Sequence, residues 1–266
     1  MWEHWNLSTI KSSEMKITDI GYYNSYIKNV SIKEGKNHKS FVYNNFDEED
    51  DYSSDPWQYE VNKHCFRGKD WKFQKVPAFF GCSFTFGIGV KTPFPQIIEN
   101  MYGGNTVLPN LGIPGGASLD IIKSFVTLAQ LHPMSHAFIS LPQIDRMFTP
   151  EILEGRWVFS DVIPNALDKT HWKASKQRKQ VEVWVGDLAR AYTVDYIDWA
   201  ELVAKQRGIN LYWSSWDKET DEFIKPHITN HFEWPKSGDR KGRDGMHPGP
   251  LVHENVARNI WDIINA

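Results

Sequence analysis

The sequence predicts an α/β protein, a three-layer α/β/α sandwich on a short, mainly parallel sheet. Two observations carry that expectation. From residue 76 onward, short apolar runs bounded by Gly or Pro alternate with stretches of helical period. Several polar, glycine-containing segments follow directly on the ends of the apolar runs, where parallel sheets place their sites.

The elements are read in chain order. Ala78–Cys82 is apolar and bounded by Pro77 and Gly81, as a buried parallel strand is. Pro95–Met101 reads as a short helix stopped by Gly103 and Gly104. Thr106–Asn110 reads as a second strand. Ala117–Leu131 carries a helical stripe of Leu119, Ile122, Val126 and Leu128, and Pro133 marks its end. His136–Leu141 is the third strand expected. Tyr192–Gln206 is a helix closed by Gly208, Ile209–Ser214 a fourth strand, and Pro250–Ile264 a last helix with Pro in its first turn. Residues 147–186 fit neither period and are too long for a plain connection, so an insertion or lid is expected there. Trp157, Trp172 and Trp184 fall in that stretch. Residues 1–75 mix Lys, Asn, Ser and Tyr without sustained period and form a loop-rich extension expected to pack on the domain of residues 76–266. The acidic run Asp47–Asp51 within it reads as a solvated loop.

Composition narrows the classes. With 266 residues, 41% of them hydrophobic, the chain can bury a core without staples. A formal net charge of -3 offers no basic footprint for nucleic acid. Two cysteines make neither a disulfide framework nor a four-cysteine zinc site. The most apolar run, Val76–Val90, is interrupted by Gly, Ser and Thr, and is shorter than the roughly 20 residues of a spanning helix. Met1-Trp-Glu-His-Trp5 does not read as a secretory signal. A soluble protein of a reducing compartment is therefore expected, with no membrane insertion and no nucleic-acid partner.

The chemistry-bearing residues cluster in three places. Ser83 follows the first strand directly and is succeeded by Gly87 and Gly89. A serine there is exposed at the sheet's carboxyl edge, and its own N–H can stabilise a developing oxyanion. The spacing of Gly81, Gly87 and Gly89 fits neither phosphate-binding glycine pattern, and Thr85 stands where a nucleophile elbow would need glycine. Asp244-Gly-Met-His247-Pro248, just before the last helix, sets a carboxylate and an imidazole three residues apart. The carboxylate can hold the imidazole's tautomer while the imidazole takes a proton from serine. Asn110 to Ser118 again follows a strand, and Gly115 and Gly116 let a backbone N–H approach a substrate. Each segment alone is equally a glycine-rich turn or a solvated loop; their order along the chain gives them weight.

Together the three segments resemble the blocks of the SGNH (GDSL-type) hydrolase family. Gly81-Cys-Ser-Phe-Thr-Phe-Gly87 is similar to its first block, Asn110–Ser118 to its second, and Asp244–Pro248 to its last. Val61–Gly68 also resembles a segment that precedes the catalytic domain in some members. The resemblance implies the flavodoxin-like sheet of that family and a serine esterase with a Ser83, His247, Asp244 triad. It implies an oxyanion hole of Ser83 N–H and Gly115 N–H, with no metal or organic cofactor. Two departures stand out. Cys82 replaces the first block's Asp, and Pro142-Gln-Ile-Asp-Arg146 lacks the third block's Asn, leaving Gln143 as the substitute amide donor. Cys82 is expected to point into the fold.

The substrate class this implies is an acyl ester, with a short acyl group on a carbohydrate or small molecule favoured. Acyl transfer to a sugar hydroxyl by the same triad is one alternative, and a glycan- or partner-binding module on a degenerate hydrolase fold is another. Arg67 and Arg146 are candidates for binding a substrate carboxylate or sugar, against a structural role. The pairs His132/His136 and His227/His231 lack the Glu and the helix that a zinc motif requires, so no metal site is expected.

Overall fold

The computed structural model describes residues 40–42, 58–60, 62, 66–72, 74–104, 106–144, 146–153, 156–162, 187–235 and 247–266. The acidic run Asp47–Asp51, Trp172, Trp184 and Asp244 lie outside the described residues, as does the side chain of Trp157.

The chain is α/β. Its strands are β1 (Ser40–Val42), β2 (Gln58–Glu60), β3 (Val76–Gly81), β4 (Asn110–Gly112), β5 (Met134–Leu141), β6 (Met147–Leu153), β7 (Arg156–Val162) and β8 (Asn210–Ser215). The helices are α1 (Ser83–Phe86), α2 (Phe94–Met101), α3 (Ser118–Leu131), α4 (Asp187–Arg207), α5 (Lys218–Ile224) and α6 (Pro250–Ile264). Four strands form one sheet in the order β4-β3-β5-β8, and every pair in it is parallel. The order therefore runs second, first, third, fourth, as at the switch point of flavodoxin-like sheets.

Side-chain alternation explains the two covered faces. Ala78, Phe80 and Cys82, with Ala137, Ile139, Leu141, Leu211 and Trp213, pack against α3 and α4. Phe79 and Phe138 point the other way, against Phe94 and Ile98 of α2 and Val252, Val256 and Ile260 of α6. Strands buried on both faces lack polar alternation, which is why they read as continuous apolar runs. Phe66 and Trp71, upstream of the sheet, belong to the same core as Phe80.

Several boundaries differ from expectation. The second strand starts at Asn110, so 106–109 lead into the sheet and only Pro109 O bonds to it, accepting from Phe79 N–H (3.1 Å). The stretch after β5 begins with an antiparallel hairpin of β6 and β7. Pro150, which has no N–H to give a ladder, and the lack of period-two alternation in Met147–Leu153 hide that hairpin in the sequence. Helix α5 is also unanticipated; its start is marked by Asp217, whose carboxylate accepts from Thr220 N–H (2.9 Å). Helix α4 starts five residues earlier than its apolar period indicates and ends at Gly208, whose φ is 62°.

Candidate active site

Ser83 occupies the first turn of α1, directly beyond β3, and is buried. The close seating of α1 on the sheet explains the glycines around it. A Cβ on Gly81 would fall 2.1 Å from Thr85 Oγ1, and one on Gly112 would fall 2.1 Å from Phe86 N. Asn110 completes the seat: its Nδ2 donates to Thr85 O (3.1 Å), and its Oδ1 accepts from Gly112 N–H (3.0 Å).

His247 reaches this point from the segment before α6, its Nε2 lying 2.8 Å from Ser83 Oγ. The two residues proposed to exchange a proton are thus in hydrogen-bond contact, though far apart in the chain. Ser83 N–H, in the first turn of α1, and Gly115 N–H make no hydrogen bond among the described residues. Gly115 sits at a left-handed φ of 76°, and Ile113 N–H donates to Gly81 O (2.8 Å), holding this loop beside the end of β3.

Gln143 lies just beyond β5, whose Ser140 is the register partner of Gly81. Its loop is anchored by Ile144 N–H donating to Thr220 Oγ1 (2.9 Å). Arg146 Nη2 donates to Gln143 Oε1 (3.1 Å), so the amide oxygen faces the guanidinium. Arg146 is buried, and its Nε has no acceptor among the described residues.

The two arginines of interest are not together. Arg67 donates to four backbone carbonyls, those of Phe86, Gly87, Val90 and Lys91. Burial pulls it down to about 10, opposed by Tyr59, so it stays protonated at neutral pH. Its donors serve the chain itself, and it is Arg146 that keeps donor capacity. Cys82 is fully buried in the core beside α3.

Of the histidines weighed as pairs in the sequence, His231 Nε2 lies 2.9 Å from Asp221 Oδ1, and His136 Nε2 is 3.3 Å from Asn210 Nδ2.

Residue spacing did not single out the aromatic wall beside the serine. Phe84 stacks on Trp216 (4.3 Å between centroids, 7° between planes) and lies 5.3 Å from the His247 ring and 6.1 Å from Trp234. The only signal was position: Phe84 follows the serine, and Trp216 follows the last strand. His253 is a histidine that the sequence reading did not single out. Its Nδ1 accepts from Phe94 N–H (3.2 Å). Burial first, then the charges of Arg67 and His247, pulls it down to about 3, so it stays neutral.

No family model matches this sequence, and no curated protein matches it. Solved structures do align with it. A carbohydrate acetylesterase family member from Sinorhizobium meliloti is 11% identical, covers 72% of this chain and 98% of its own, and has a TM-score of 0.44. A member of the lipolytic protein G-D-S-L family from Veillonella parvula is 13% identical over 72% of this chain and 99% of its own, with a TM-score of 0.43. A psychrotrophic esterase from Pseudoalteromonas sp. is 11% identical over 73% of this chain and 100% of its own, also with a TM-score of 0.43. At these identities and TM-scores, the chemistry has to be argued from the site's own residues.

Proposed function

We propose that the protein is a serine esterase of the SGNH type, working through an acyl-enzyme. The observation that carries this reading is the 2.8 Å contact between Ser83 Oγ and His247 Nε2 at the carboxyl edge of the parallel sheet. Ser83 Oγ attacks the acyl carbonyl carbon while its proton passes to His247 Nε2. That proton then leaves with the alkoxide as the ester C–O bond breaks. Water, deprotonated by His247, attacks the acyl-serine and releases the acid, returning the proton to Ser83. Asp244 is assigned the Nδ1–H of His247, holding the tautomer that keeps Nε2 free to accept.

Ser83 N–H and Gly115 N–H, both without another acceptor among the described residues, are assigned to the tetrahedral oxyanion, with the Gln143 NH2 as third donor. The substrate assigned is a short acyl ester of a carbohydrate or small molecule. The flat faces of Phe84, Trp216 and Trp234 beside His247 favour a ring-bearing alcohol half. Arg146, buried with an Nε that has no acceptor among the described residues, is assigned to a carboxylate or hydroxyl of the substrate.

A short-chain aryl ester and a fluorophosphonate test the reading. Ser83 is expected to be labelled, and Ser83→Ala or His247→Ala to lower turnover at least about a thousandfold. Asp244→Asn, which leaves the wrong tautomer, is expected to lower kcat by about 10⁴. Turnover that persists in Ser83→Ala would sink the assignment.

A further inference from the structure

A dense polar cluster lies at the opposite end of α1 from Ser83. Arg67 Nη1 donates to Phe86 O (3.0 Å) and to Gly87 O, and Nη2 to Val90 O (2.8 Å) and Lys91 O (2.7 Å). The guanidinium carbon lies 4.6 Å from the Tyr59 ring centroid and 5.6 Å from that of Phe86. Tyr59 hydroxyl accepts from Gly89 N–H (2.8 Å). Five of the six residues 86–91 are thus gripped by two side chains from the segment that precedes the sheet.

That grip is needed where it falls. A four-residue helix has too few internal hydrogen bonds to hold its own orientation. The chain that follows contains Gly87 and Gly89, at left-handed φ of 82° and 79°, and glycine gives such a segment its widest conformational freedom. The helix's last carbonyls have no intrahelical donors. Arg67 supplies one to Phe86 O, beside the Asn110 Nδ2 that serves Thr85 O, and its planar fork continues to the carbonyls of Gly87, Val90 and Lys91, which a single ammonium could not span. No carboxylate pairs with it among the described residues, so its charge is spent on the end of the helix that bears Ser83.

We infer that Arg67 is a positioning residue for the nucleophile: by locking the carboxyl end of α1 and the 87–91 turn, it holds Ser83 Oγ against His247. The inference rests on the esterase reading for its catalytic consequence and on the geometry alone for its structural one.

Two measurements on the full chain separate these. Hydrogen exchange reports order in residues 83–94, and fluorophosphonate labelling reports the reactivity of Ser83. Arg67→Lys keeps the charge and loses the fork. It is expected to raise exchange in 83–94 about tenfold while peptides from β5 and α4 stay protected. Labelling and kcat should fall roughly 10–100-fold with KM nearly unchanged, because misplacing a nucleophile costs the chemical step. Tyr59→Phe removes the hydroxyl that accepts from Gly89 N–H and should show the same pattern at about a few-fold.

Wild-type labelling rates with unchanged protection of 83–94 would overturn the inference. So would a rise in exchange spread evenly over the sheet, which would make Arg67 a general stabiliser. If Arg67→Lys does not fold, Tyr59→Phe decides alone, unchanged labelling and exchange counting against the proposal. A wild-type protein that is never labelled defeats the esterase reading, and the exchange arm still decides whether Arg67 orders α1.

Discussion

Ser83 and His247 are separated by 164 positions, yet their side chains are in contact, Ser83 from the start of α1 just beyond β3 and His247 from the segment before α6. Not every ionisable residue is so well accommodated. Asp120, in the first turn of α3, is pushed up to about 6 by burial, with Lys123 pulling the other way. The sign of its contribution follows directly. Between its ordinary 3.8 and about 6, the folded state holds the proton that the unfolded state has lost, so stability falls as pH rises through that window. Above it, the buried charge is a standing cost. Asp120→Asn is therefore expected to stabilise the protein at pH 8 by on the order of 1–2 kcal/mol, part of the charge being screened by solvent, and to have little effect at pH 4. Urea denaturation at the two pH values measures this; equal effects at both would contradict it.

At the scale of elements, α1 is the unit to explain. Four residues long, it is seated by close backbone approach rather than by a buried apolar stripe. Gly112 on β4 is where that approach is closest, a Cβ there standing 2.6 Å from Phe86 Cα as well as 2.1 Å from its nitrogen. Backbone cannot swing aside as a side chain can, so Gly112→Ala must displace α1 from β4. A cost of roughly 1–3 kcal/mol is expected, together with a fall in fluorophosphonate labelling, since the helix moves with its serine. Chemical denaturation and labelling kinetics on the same preparation test it, and a variant with wild-type midpoint and rate would show the seat to be looser than drawn. The end of β3 and the glycines of this region were legible in the sequence, because a short apolar run followed by small residues is a local pattern, whereas β4 lies at Asn110–Gly112 rather than the expected Thr106–Asn110. The β6–β7 hairpin was not legible, because Pro150 and the missing alternation erase the period that marks a strand.

At the scale of the whole molecule, two aromatics upstream of 76 belong to the packing of the sheet. Phe66 and Trp71 are 3% and 5% exposed and lie in the same core as Phe80 and Phe125, so the change of composition near residue 75 is not a boundary in packing. Losing a buried aromatic side chain costs about 3–5 kcal/mol, and whole domains are stable by only about 5–15 kcal/mol. A chain lacking residues 1–72 loses both aromatics and Arg67, and it is expected to unfold without a cooperative transition or at a far lower midpoint. Tryptophan fluorescence in a urea titration reads this out, and an unchanged midpoint would refute it. Among the described residues, no helix is long and apolar enough to cross a membrane.

From the residues alone came the alternation of strands and helices, the serine at the end of the first strand, and the histidine ahead of the last helix. These are local properties: burial on both faces makes a strand continuously apolar, and a close turn demands glycine at a particular position. The tertiary structure decided which groups hold the serine in place. Arg67 reads in the sequence like any other arginine, and as a substrate ligand it was as plausible as Arg146. Its acceptors are carbonyls 19 to 24 residues further on, and a carbonyl is the one group every residue carries. The aromatic neighbours of His247 were equally silent, because Phe84 and Trp216 meet only when the ends of β3 and β8 are brought to one edge. A sequence can advertise a group that needs a rare conformation or a reactive atom, whereas the partners of a common group are settled only by the packing that brings them near.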